Sequence, residues 1–147
     1  MELTGSWDLE AFEVVAADGT VTTPFGDAPL GRLMYGADGS MAAMLGALDR
    51  PAFAGRASEV DDAAWKAAAG HFVAYAGSWS REGDVVRHRV MVALIPDWIG
   101  TTLERTIGER DGRLTLSVEP RTPGGRTQRL VWARTGAAVG AQDMLRA

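Results

Sequence analysis

Apolar and polar residues alternate with a period of two through most of this chain, and glycine-containing turns interrupt the alternation. Trp7, Leu9 and Ala11 share one parity, with Asp8 and Glu10 on the other. Leu114, Leu116 and Val118 alternate with Thr115 and Ser117, and Leu130 and Trp132 alternate with Arg129 and Val131. Successive side chains of an extended strand point to opposite faces, so each run predicts a strand with one buried face. Asp18-Gly19, Asp38-Gly39, Gly83-Asp84, Asp111-Gly112 and Gly124-Gly125 separate the runs. Such pairs accept the positive φ that tight hairpins require. The pattern predicts strands at 5–16, 19–23, 30–36, 40–47, 74–81, 85–95, 102–109, 113–119 and 126–134. Phe12 and Val14 have the wrong parity for the first strand, and a bulge near Ala11 would return them to its inner face. Short strands joined in this way form a meander that closes into a barrel or folds into a sandwich.

One segment departs from the alternation. Residues 58–72 read as a helix with Ser58 as N-cap, Asp61 completing a weak capping box, and Val60, Ala64, Ala67 (or Ala68) and His71 or Phe72 on an apolar stripe. The expected organisation is one domain over 1–135 and a tail over 136–147.

Composition narrows the chemistry. With no cysteine and two histidines, thiolate catalysis, iron–sulfur clusters and cysteine-based zinc sites are excluded, and no metal or cofactor is expected. A net charge of −4 argues against a phosphate-backbone grip, so no nucleic-acid partner is expected. No apolar run approaches the roughly 20 residues of a membrane helix, and no basic stretch followed by an apolar run opens the chain. The expected location is the cytoplasm, without a membrane partner. Phosphate-binding glycine loops and the Gly-x-Ser-x-Gly nucleophile elbow are both missing.

Thr4-Gly5-Ser6-Trp7-Asp8-Leu9 resembles the opening of the bacterial and fungal lipocalin-like domain family. Pro24-Phe25-Gly26, Pro29, Gly31, Leu33, Tyr35, Asp38-Gly39 and Met41 resemble its second block. Tyr75, Gly77, Trp79, Val86, His88, Pro96, Trp98, Gly100 and Arg105 resemble its third, and Gly112, Leu114 and Leu116 its end. The likeness spans about residues 3–134. It implies an all-β, up-and-down lipocalin-like β-barrel of about nine strands, with an inner cavity and one helical insertion. Members include components of natural-product pathways, and the fold hosts carriers and enzymes alike.

Within such a barrel, Val86, His88, Val90 and Val92 share the face opposite Arg87 and Arg89, which places His88 inside. It is either an acid/base or hydrogen-bonding group for a ligand, or a core histidine satisfied by a neighbour. Arg105 lies in line with Leu103 and Ile107 and would stabilise an enolate or carboxylate. Alternatively it is the arginine that, in the lipocalin plan, stacks on the first-strand tryptophan, a role for which Arg134 competes. Tyr35 and Tyr75 share parity with Gly31 and Gly77, glycines expected to leave space for a cavity. His88, Arg105, Tyr75 and Tyr35 are the candidate catalytic residues. Trp79, Met41, Met44, Val90, Trp98 and Phe25 are the candidate ligand contacts, with Trp98 and Phe25 at the mouth.

The expected partner is a hydrophobic, carbonyl-bearing small molecule, polyketide- or terpenoid-like, and a homodimer is left open. Two functions fit: a cofactor-independent cyclase or isomerase of secondary metabolism, or a non-catalytic carrier of a similar molecule.

Overall fold

The structure, a computed structural model, describes residues 1–136; all of the expected tail except Gly136 lies outside them. Its strands are β1 (Gly5–Val15), β2 (Val21–Thr22), β3 (Leu30–Tyr35), β4 (Ser40–Gly46), β5 (Phe72–Glu82), β6 (Val85–Ala93), β7 (Thr102–Arg110), β8 (Arg113–Val118) and β9 (Thr127–Arg134). All neighbours are antiparallel, and β9 pairs back onto β1. The eight strands β1 and β3–β9 therefore close an up-and-down barrel, while the two-residue β2 extends β1 outside it. Closure pairs most of the strand edges that an open meander would expose.

Local chemistry sets the corners. Asp111 and Gly112 have φ of 53° and 79°, the doubly left-handed geometry of the tightest hairpin, and they join β7 to β8. The β1–β9 register shifts between Leu9 and Ala11, which is the bulge that Phe12 required, and Phe12 packs against the core. A second shift, between Ala76 and Gly77, leaves Met91 of β6 without an opposite residue. This one the alternation did not predict. It turns Val92 outward, 52% exposed, and sends Ala93 inward in its place. Val92 was expected inside because its parity matches His88, but a bulge inverts parity beyond itself.

The helix α1 (Asp62–Gly70) links β4 to β5 at the same barrel end as Trp98 and the 16–29 loop. Its N-cap is Asp61, whose carboxylate accepts from the Ala64 N–H at 3.0 Å, and not Ser58. Ser58 lies outside the helix, which is three residues shorter at its start than expected. His71 closes it as C-cap and stays outside the wall.

At the opposite end Trp7 and Trp132 are almost fully buried. The Arg134 guanidinium lies 4.1 Å above the Trp7 ring and donates to the carbonyls of Thr4 and Glu2, tying the N-terminal segment across that end. Arg134, not Arg105, is thus the arginine on the first-strand tryptophan.

Gly31 and Gly77 do not make room. A Cβ on Gly77 would sit 1.8 Å from the Arg89 carbonyl oxygen, and one on Gly31 would sit 2.9 Å from the Met44 carbonyl oxygen. Both glycines serve close backbone approach, the other reason for glycine in a strand.

Candidate functional site

Three side chains from three strands meet inside the barrel. Each lies on an inward parity: Tyr35 at the end of β3, Tyr75 early in β5, and His88 in the middle of β6. His88 is 1% exposed. Its Nε2 is 2.6 Å from the Tyr35 hydroxyl and its Nδ1 is 2.7 Å from the Tyr75 hydroxyl. Both ring nitrogens are thus engaged by phenols, as in the core-histidine reading, while the residue also borders an inner cavity.

Burial, with the positive charge of Arg105 adding to it, pulls His88 down to about 3. Burial also pushes both phenols up, against the opposing pull of Arg105. All three groups are therefore neutral at physiological pH. A neutral imidazole carries one N–H donor and one acceptor nitrogen. Tyr35 is almost fully buried, and His88 is its only hydrogen-bond partner among the described residues. If Nε2 donated to Tyr35, the Tyr35 proton would be orphaned in the core, at a cost of roughly 1–3 kcal/mol. The economical arrangement has Tyr35 O–H donating to Nε2 and Nδ1–H donating to the Tyr75 oxygen. The Tyr75 proton is then free.

Tyr75 and His88 border a cavity of about 90 Å³. Its wall is mainly apolar, including Phe12, Leu33, Leu45 and Leu130, with Arg105 and Gln128 as further polar members. Arg105 is half-buried, and its Nη1 donates to the Glu104 carbonyl at 2.8 Å. The Trp132 ring also borders the cavity, and its indole N–H has no hydrogen-bond partner among the described residues. Tyr75, Arg105 and Trp132 all carry donors, so the site suits a molecule rich in acceptors.

The mouth is filled by aromatic rings. The turn Pro96–Trp98 brings Trp98 onto the cavity, edge-on to Tyr75 at 5.9 Å. Phe25, from the 16–29 loop, is buried 5.1 Å from Phe12 and 5.9 Å from His71. The cavity is smaller than the roughly 300–1,000 Å³ of ordinary ligand sites.

Of the residues singled out from sequence, His88, Tyr75, Arg105 and Trp98 border this cavity, and Tyr35 joins it through His88. Trp79 lies beneath the array, 4.7 Å from the Tyr35 ring, with its indole N–H on the Gly36 carbonyl. Met41 and Val90 are buried core, and Phe25 packs above the cavity without bordering it. Met44 faces outward, 41% exposed, because it shares parity with Ala42 and opposes Met41 and Leu45. Phe12, Gln128 and Trp132 border the cavity and were not singled out. For Trp132 the inward parity was available in the sequence; nothing local marked its unpartnered N–H.

The model of the lipocalin-like domain matches residues 4–135. A lipocalin-like protein from Bacteroides uniformis ATCC 8492 is similar over 90% of this chain and 97% of its own, at 15% identity and a TM-score of 0.48. An uncharacterized protein from Bacteroides eggerthii DSM 20697 is similar over 90% of this chain and 100% of its own, at 13% identity and a TM-score of 0.45. No curated protein matches. No helix among the described residues is long and apolar enough to cross a membrane.

Proposed function

This chain belongs to the lipocalin-like domain family, and from that premise we propose that its barrel takes a small hydrophobic molecule by a carbonyl oxygen and acts on it as a cofactor-independent cyclase or isomerase. The observation that carries this reading is the Tyr35–His88–Tyr75 array, which leaves one phenol proton available beside an apolar cavity. Tyr75 O–H donates to the carbonyl oxygen, and the Arg105 charge stabilises negative charge that builds there. His88 and Tyr35 are positioning residues: they fix where the Tyr75 proton points. Cyclisation and isomerisation conserve the atoms of the substrate, so folding the molecule against a polarised carbonyl is chemistry these residues can supply.

A carrier is the second reading, and one observation favours it. The array offers a donor but no uncommitted base, since His88 is held neutral with both nitrogens engaged. Two measurements separate the cases. Acetophenone and its isostere α-methylstyrene differ only in C=O against C=CH₂, and quenching of tryptophan fluorescence reports their binding through Trp98 and Trp132. Acetophenone is expected to bind more tightly, and Tyr75→Phe to remove about fivefold of that advantage, the worth of one neutral hydrogen bond. Equal binding of the pair to the native protein would refute the carbonyl assignment. Incubation with excess linear polyene diketone then distinguishes the functions. Conversion beyond one equivalent supports the enzyme, and saturation at one equivalent without conversion supports the carrier.

A further inference from the structure

The barrel wall is incomplete between β7 and β8. β7 begins at Thr102, yet its ladder with β8 begins only at Thr106 opposite Ser117. Residues 102–105 pair with β6 on one side and with no strand on the other. β8 stops at Val118, two residues before Pro120, which has no N–H to continue a ladder. The seam holds a groove of about 410 Å³, bordered by Thr102, Arg105, Ser117, Glu119 and Arg121 among others.

Arg105 borders both this groove and the inner cavity, and no other described residue does. The groove falls within the size range of ordinary ligand sites, which the cavity does not reach. The charges of the groove are unbalanced. Of its two carboxylates, Glu104 is committed to Arg87 at 2.7 Å. Among the described residues Arg105 and Arg121 form no ion pair, nor does Glu119. Two guanidinium groups therefore face one uncommitted carboxylate. Arg105 spends one N–H on the Glu104 carbonyl and keeps the rest of its fork. A planar fork of donors matches the two oxygens of a carboxylate.

We propose that the β7–β8 groove binds the anionic end of an amphiphilic ligand, a carboxylate held by Arg105 at the inner edge and Arg121 at the outer rim, with its apolar body in the cavity. The assignment rests on the small-molecule reading of the cavity and adds the ligand's charge and its route through the wall. In this assignment Arg105 serves the carboxylate in place of the carbonyl, and the Tyr75 proton alone meets the uncharged oxygen further along the same molecule. The ligand class is then a hydrophobic keto acid or a similar carboxylic acid.

The test uses two fluorescent probes that differ by one anionic group. These are 1-anilinonaphthalene-8-sulfonate, whose sulfonate stands in for the carboxylate, and N-phenyl-1-naphthylamine, which lacks it. The sulfonate probe is expected to bind about tenfold more tightly at low ionic strength, the worth of one charge-assisted contact, and to lose that advantage in high salt. Arg121→Gln, at a rim position that does not border the cavity, should cost the sulfonate probe several-fold and leave the neutral probe unchanged. Arg105→Gln should cost the sulfonate probe more, and Glu119→Gln should strengthen its binding. Equal binding of both probes, unaffected by Arg121→Gln, would overturn the groove assignment and leave the cavity reading standing. Failure of both probes to bind would overturn the groove together with the reading it rests on.

Discussion

Replacing His88 by leucine exchanges a buried imidazole for an apolar side chain of similar size and should change the acid response of folding more than its strength at neutral pH. At pH 7 the variant leaves the Tyr35 hydroxyl without its only partner among the described residues. The Tyr75 hydroxyl also loses its His88 partner, but it borders a cavity with room for a water. One orphaned buried hydroxyl costs roughly 1–3 kcal/mol. The native protein carries a different liability. His88 is held at about 3 when folded, against an ordinary 6.5 when unfolded. Between those values the unfolded chain binds a proton that the folded chain refuses, so native stability is complete above about pH 6.5 and falls as the solution is acidified. The slope is about 1.4 kcal/mol per pH unit for one proton, which accumulates to about 5 kcal/mol by pH 3. Leucine has nothing to titrate, and the carboxylates act on both proteins alike. The two stability curves should therefore converge on acidification and cross between about pH 4.5 and 6, the variant being the more stable below the crossing. Urea unfolding at half-unit pH intervals, with unchanged m-values, measures this directly. Ring-proton NMR of the native protein should show one histidine that does not titrate down to about pH 4.5. Parallel stability curves, or a His88 resonance that titrates near neutrality, would refute the account of a buried neutral imidazole fixed between two phenols.

Four further substitutions test how the fold is held. Gly77→Ala places a methyl 1.8 Å from the Arg89 carbonyl oxygen; it should cost about 3 kcal/mol in urea unfolding. Gly55→Ala meets nothing within 4 Å and should stay within about 0.5 kcal/mol of the native protein. Asp61→Ala removes the carboxylate that accepts from Ala64 and should cost about 1 kcal/mol. Ser58→Ala should be close to neutral, and an equal loss at both positions would show that the helix begins where the capping pattern first suggested.

The division between what the chain shows locally and what the closed barrel adds follows the range of the forces involved. Strand positions, hairpin turns and the inward side of His88 were legible because alternation and left-handed turn geometry act over a few residues. The bulge at Ala11 was legible too, since Phe12 and Val14 declared the wrong parity. The bulge at Met91 left no such mark: Val92 is as apolar as a core residue, and only the β5–β6 register turns it out. Gly77 was visible as a glycine, but the carbonyl of Arg89 that excludes a side chain there arrives from a neighbouring strand. The site has the same history. Tyr35, Tyr75 and His88 could each be placed on an inner face from sequence, yet their meeting depends on the stagger of β3, β5 and β6 around the barrel. Tyr35 and His88 are 53 residues apart in the chain. Arg105 and Arg134 carry the same side chain on similar strands. One closes the barrel end over Trp7 while the other borders a seam that exists because β7 and β8 pair over only part of their length. Between bulges, period-two alternation fixes which way a side chain points, and barrel closure fixes what it meets there.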